Sequence, residues 1–216
     1  SSSGLTSITQ TAGTITGGVG IYVLSGGPGG SVNINTVGSQ IVASLGIYVL
    51  TDGPQSDVTI ATGAVSGDGT PSGFGIFARM GQSTHTARNL SVTTNGAVSG
   101  GIYLQNGGIG TIDLTTNAGV AGGITLQGTN SANTSAFTVK LNQDVSGAVS
   151  LQNSGTGATT VRTRGITGGT LSVYAAGGAS NSLVVDGAIT KGSGPDSYYG
   201  GALASVAFAN ASGTNT

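Results

Sequence analysis

The chain has 216 residues, of which 42 are Gly, none is Cys or Trp, and only 6% are charged, giving a formal net charge of −1. That balance leaves no electrostatic footprint for nucleic acid or anionic lipid. The missing cysteines exclude a disulfide scaffold, a thiolate metal site and a Cys nucleophile. Gly, Thr, Ser, Asn and Val stand where strong helix formers would be needed, and β-branched residues are too plentiful for a disordered chain, so the composition predicts an ordered all-β protein with almost no helix.

The chain opens on SSSGLTS, which has neither the basic nor the apolar region of a signal peptide, and no apolar run reaches the roughly 18 residues of a helical span. From there three apolar columns recur in order. An opening strand is predicted at Ile8, Val32, Val58, Leu90, Ile112, Phe137, Val161 and Leu183. A middle strand follows at Ile15, Ile41, Val65, Val98, Val120, Val145, Ile166 and Ile189. A closing strand completes each unit at Ile21, Ile47, Ile76, Ile102, Ile124, Val149 and Leu171. The closing strand carries the pentapeptide GIYVL at 20–24 and 46–50, with relatives GIFAR (75–79), GIYLQ (101–105) and GITLQ (123–127).

Between columns lie SGGPGGS, TDGPQSD, QNGGIGT and QNSGTGA, in which Gly supplies positive φ and Asn, Asp and Ser fold onto their own backbone. Within strands the alternation has a period of two, the mark of one buried face. A unit of 22–29 residues holding three such strands is what a parallel β-helix requires, because one coil cannot bury its own apolar face and stacked coils can. The prediction is a solenoid of about eight coils over residues 1–190, a rod roughly 35–40 Å long at the usual strand spacing, with 191–216 an irregular final coil and tail. A leucine-rich repeat lacks its LxxLxLxxN pattern here and the calcium-binding nonapeptide is absent; a β-sandwich or β-prism stays open.

Candidate chemistry is sparse. All seven acids are Asp, scattered over the units, and His85 is the one histidine, with neither GxSxG nor a GDSGS-type motif beside it. No catalytic set, metal site or cofactor is expected. Two surfaces remain. If Ile21 and Val23 point inward, alternation sends Tyr22 and Leu24 outward, likewise Tyr48 and Leu50, then Phe77, then Tyr103. Four aromatics thus stack on the outside of successive coils, as packing or as a binding stripe. The third unit is lengthened by GDGTPSG and again before Leu90, and protruding solenoid loops often bind; Asp68, Arg79, Met80, His85 and Arg88 gather there. Outward Asn33, Asn35, Gln105, Gln127 and Gln152 are candidates for amide ladders.

The passages SVTTNGAVSGGIYLQNGG, TIDLTTNAGVAGGITLQG and FTVKLNQDVSGAVSLQNSG resemble the Gly/Thr/Asn-rich right-handed β-helical passengers of bacterial autotransporters and related surface adhesins, over roughly residues 5–190. The resemblance implies a non-enzymatic chain exported through a Gram-negative envelope and displayed at the cell surface or shed outside it. It also implies adhesion or self-association as the role, with a second copy, a host-surface protein or a polysaccharide as partner. The β-barrel translocator of such proteins has no counterpart in this sequence. The competing class is a carbohydrate-active β-helix enzyme, a polysaccharide lyase or hydrolase, whose clustered Asp residues and basic side chains are not legible here.

Overall fold

The computed structural model describes residues 4–26, 29–53, 56–68, 73–81, 88–176, 181–187, 189–191, 197–200 and 204–208, with side chains through 187. Among them there is no helix, and every strand pairing is parallel. The chain winds as a β-solenoid in which each strand pairs with its equivalent one coil before and one coil after.

Three ladders run along the axis. The middle ladder is Ile15, Ile41, Val65, Val98, Val120, Val145, Ile166 and Ile189. The closing ladder is Ile21, Ile47, Ile76, Ile102, Ile124, Val149 and Leu171. The opening ladder aligns Ile8 with Ile34, Ile60, Val92, Leu114, Val139, Val161 and Leu183. The sequence columns placed Ile8, Val161 and Leu183 beside Val32 and Val58; the true register is shifted there by one strand period. A two-residue slip keeps every side chain on its own face, so the inward set is unchanged.

About six turns are complete, fewer than the eight expected. The turns from Val32 to Ala175 are covered on both sides and bury their apolar columns almost completely. Among the described residues the first turn pairs on one side only, and Ile8 and Ile15 are half-buried. Beyond Val185 strand backbone continues in the same ladders, Ser197–Gly200 on Ser172–Ala175 and Ala204–Phe208 on Asn181–Val185, within the segment expected to hold the final coil. Nor are the strands everywhere short. In the first two turns they fuse into Thr14–Ser25 and a single Val32–Thr51; separate opening, middle and closing strands are distinct from Leu90 onward.

The Gly of GIYVL is steric. A Cβ on Gly46 would run into Gly75 O and Val65 Cγ1 of the next turn. At the corner after the middle strand, Gly122 and Gly147 adopt φ of 116° and 140°, and a Cβ on Gly147 would meet the backbone of Gly122; only Gly enters that region without strain. The interior is narrow and mostly Ile, Val and Leu, with polar residues at two inward columns: Thr51, Asn106 and Asn153 at the end of the closing strand, and a threonine column. Thr36, Thr62, Thr94, Thr116 and Thr163 are fully buried and follow one another in register, with Leu141 in the place between the last two.

Candidate interaction surface

The aromatic row is built by backbone alternation alone. With Ile47 and Val49 buried, Tyr48 projects outward, and parallel register sets it directly between Tyr22 and Phe77. Tyr22 and Tyr48 stack with centroids 5.1 Å apart and planes 8° from parallel. Tyr48 and Phe77 stack at 4.7 Å and 7°, Phe77 and Tyr103 at 4.9 Å and 8°. These separations match the spacing between coils, so each ring covers the face of the next and the stack presents ring edges and tyrosine hydroxyls to the outside. A sugar ring that binds by lying on an aromatic face finds no free face between Tyr48 and Tyr103.

The row is unevenly open. Tyr22 is 56% exposed and Leu24 60%, while Tyr48, Leu50, Phe77 and Tyr103 are half-buried. Phe74, which the sequence reading passed over, tilts onto Phe77 and Tyr103 at 5.7 Å from each and covers that end of the row. Its signal was the Phe in the GFGIF run closing the third-turn insertion, an apolar residue in what otherwise reads as a solvated loop. Tyr103 ends the row by donating its hydroxyl to Gln127 Oε1 at 3.0 Å, where the column passes to Thr125, Ser150 and Ser172.

The third-turn residues do not form one exposed cluster. Asp68 is exposed and lines a shallow depression of about 350 Å³ with Gly17, Val42, Ala43, Ser44 and Gly67. Arg79 is exposed and follows Leu50 in the row beside the aromatics. His85 lies outside the described residues. Met80 and Arg88 are corrections to the expected loop surface, because both are fully buried. Met80 follows Thr51 in an inward column. Arg88 turns in under two corners: Nη1 donates to Gly81 O at 2.8 Å, and Nη2 to Asp52 O at 3.3 Å and to Gly53 O.

A cation buried among carbonyls is held by their dipoles. Desolvation lowers the Arg88 pKa and the Asp52 charge opposes that, and Arg stays protonated through any ordinary pH. Its backbone oxygen accepts from Asn106 Nδ2 at 2.7 Å, so three successive turns meet at this side chain. Its role is to fasten corners.

The outward amides were only partly foreseen. Gln105 and Gln127 are tied through the Tyr103 hydroxyl. The hydrogen-bonded amide ladder stands instead at the corner after the opening strand, where Asn117 Nδ2 donates to Asn95 Oδ1 and Asn142 Nδ2 to Asn117 Oδ1, both at 2.8 Å. The signal was present in the repeated TTN of TTNGAV and TTNAGV.

A concavity of about 490 Å³ forms a groove along the middle strands, with Gln40, Ala64, Ser99, Ala121, Asp144 and Thr167 among its lining residues. Asp144 is its one ionisable residue. Arg162 pairs with Asp186 on the opening face, and the hydrogen bond to Asp186, then its charge, raises the arginine pKa. Among the described residues no three His, Cys, Asp or Glu side chains gather as a metal site, and no helix is long and apolar enough to cross a membrane. No protein-family model matches the chain, and it matches no curated protein and no solved structure.

Proposed function

We propose that the chain is a secreted or surface-displayed, non-enzymatic β-helical passenger of the bacterial adhesin kind, or a segment of one, which acts by adhesion or self-association through the aromatic row. The observation that carries this reading is the combination of Tyr22 and Leu24, both more than half exposed, with a continuous apolar ridge running from them through Tyr48 and Leu50. An apolar ridge on a surface with few charges marks a partner site. Its edge-on rings favour a flat apolar partner, such as a second copy or a host-surface protein, over a stacked sugar. Repeated display of the ridge on a surface would add avidity to each single contact.

The test replaces Tyr22, Tyr48, Phe77 and Tyr103 by Ser. Loss of self-association in light scattering, with a β-type circular dichroism spectrum retained, supports the reading; undiminished association refutes the role of the row. The axial groove favours the second reading, a carbohydrate-active enzyme. Glycosidases work with two carboxylates, and the groove brings Asp144 alone. Release of reducing ends from a pectin or glucan panel, abolished by Asp144→Asn, would replace the adhesin reading with that one.

A further inference from the structure

The sequence contains two Asn-Gly steps, 95–96 and 106–107, and the fold treats them oppositely. Asn106 is fully buried. Its Nδ2 donates to Arg88 O at 2.7 Å and its Oδ1 accepts from Gly108 N at 2.8 Å, so its amide is pinned at both ends. Asn95 is exposed, in the bend after the opening strand Leu90–Thr94. It stands at one end of the amide ladder, and the polarity of that ladder matters. Each amide nitrogen donates toward the preceding coil, Asn142 to Asn117 and Asn117 to Asn95, so Asn95 is the terminal acceptor. Among the described residues its own Nδ2 donates to none.

We infer that Asn95 is a site of spontaneous deamidation and that Asn117 promotes it as a positioning residue. The Gly96 backbone nitrogen, having given its proton to hydroxide, attacks Asn95 Cγ, with no Cβ on Gly96 to obstruct the approach. A C–N bond forms and the negative charge develops on Asn95 Oδ1, where the Asn117 N–H donor already sits at 2.8 Å. A donor aimed at the oxygen that gains charge lowers the barrier in the way an oxyanion-hole donor does. The Cγ–Nδ2 bond then breaks, the leaving nitrogen takes a proton from water, and ammonia departs into solvent, with no hydrogen bond from that nitrogen to any described residue. Water opens the succinimide to aspartate or isoaspartate. The aspartate still accepts from Asn117, so the corner keeps its bond and gains a negative charge on a surface that has few.

The whole chain is incubated at mildly alkaline pH, and peptide mass spectrometry follows the conversion of amide to acid at each Asn. Asn95 converts at least about tenfold faster than Asn106, and Asn117→Ala slows Asn95 by about tenfold, a modest share of what an enzymatic oxyanion donor gives. Asn142→Ala, which leaves the Asn117–Asn95 bond in place, does not slow it. Asn95→Gln removes the reaction, because closure through the longer side chain is disfavoured. In urea the Asn95 and Asn106 rates converge, since the fold alone separates them. Equal rates in the native protein would overturn the assignment of the site. Unchanged or faster conversion in Asn117→Ala, with the circular dichroism spectrum intact, would overturn the role of Asn117.

Discussion

The two halves of the solenoid share one interior and diverge outside it. Ile, Val and Leu fill all three columns at near-complete burial from Val32 to Val173, yet the outward side of the closing column changes at a single step, from Tyr103 to Thr125, with no break in register. The corners change as well. The N-terminal half fastens its corners around the buried Arg88, which reaches the carbonyls of Asp52, Gly53 and Gly81. The C-terminal half fastens them with the buried amides of Asn133 and Asn153: Asn153 Nδ2 donates to Gly157 O at 3.2 Å and to Thr159 Oγ1 at 2.9 Å, and its Oδ1 accepts from Gly155 N at 3.0 Å. The core therefore fixes the coil, and each corner and outward row is free to vary around it.

The sharpest way to break this comparison is to remove the two kinds of fastener. Arg88→Ala leaves three corner carbonyls without their donor and a cavity in place of a fully buried long side chain, at a cost of about 3–5 kcal/mol from unpaired acceptors and lost packing together. Asn153→Ala also leaves three groups, Gly157 O, Thr159 Oγ1 and Gly155 N, but removes a smaller, uncharged side chain, about 1–3 kcal/mol. Urea unfolding curves followed by far-UV circular dichroism rank the two variants; an Arg88→Ala loss no larger than that of Asn153→Ala would show that the cation does not carry its corner.

How much of this was legible follows from what repeats. The columns were readable because stacking imposes one residue class at one position in every turn, and the outward aromatics followed from alternation. Register at the ends was not, since a slip of two residues satisfies alternation equally well, as Ile8 against Ile34 shows. Arg88 and Met80 could not be placed from sequence, because a long excursion can return into the core and one charged residue in a loop-like run looks solvated. The ladder at Asn95 and Asn117 was legible in the repeated TTN, each Asn three residues before its Val, but its third rung was hidden because Asn142 follows Lys140 and Leu141 in place of the two threonines. The aromatic row was found but its orientation was not, since only the inter-coil distance decides whether rings offer faces or edges.

A smaller effect separates the outward rows. Tyr48→Ser removes two stacked contacts, worth about 0.5–1.5 kcal/mol each, and lowers stability by about 1–3 kcal/mol. Ser150→Tyr, in the polar half of the same column, has Thr125 and Ser172 beside it in register and no ring to stack on directly, and stays within about 0.5 kcal/mol. Paired thermal melts measure this difference. If Tyr48→Ser is neutral, the stack contributes nothing to the fold and its four rings are free to serve binding alone.

The finest contrast lies inside, where the two ends of one polar column should respond with opposite sign to the same substitution. Thr36 and Thr62 share a hydrogen bond between their hydroxyls at 2.8 Å, whereas Thr94 Oγ1 and Thr116 Oγ1 have no partner. A buried hydroxyl without a partner costs about 1–3 kcal/mol of desolvation, and replacing it by a group of the same shape recovers part of that. Thr116→Val should therefore raise stability by about 1 kcal/mol, roughly 2–4 °C in melting temperature for a chain of this size. Thr62→Val orphans Thr36 and should lower it by a similar amount. The next turn already carries Leu141 at this position in register with Thr116, so the column accepts an apolar side chain without rearrangement. Two changes of the same sign would mean that the Thr36–Thr62 bond adds nothing to stability, or that Thr116 has a partner the geometry does not show.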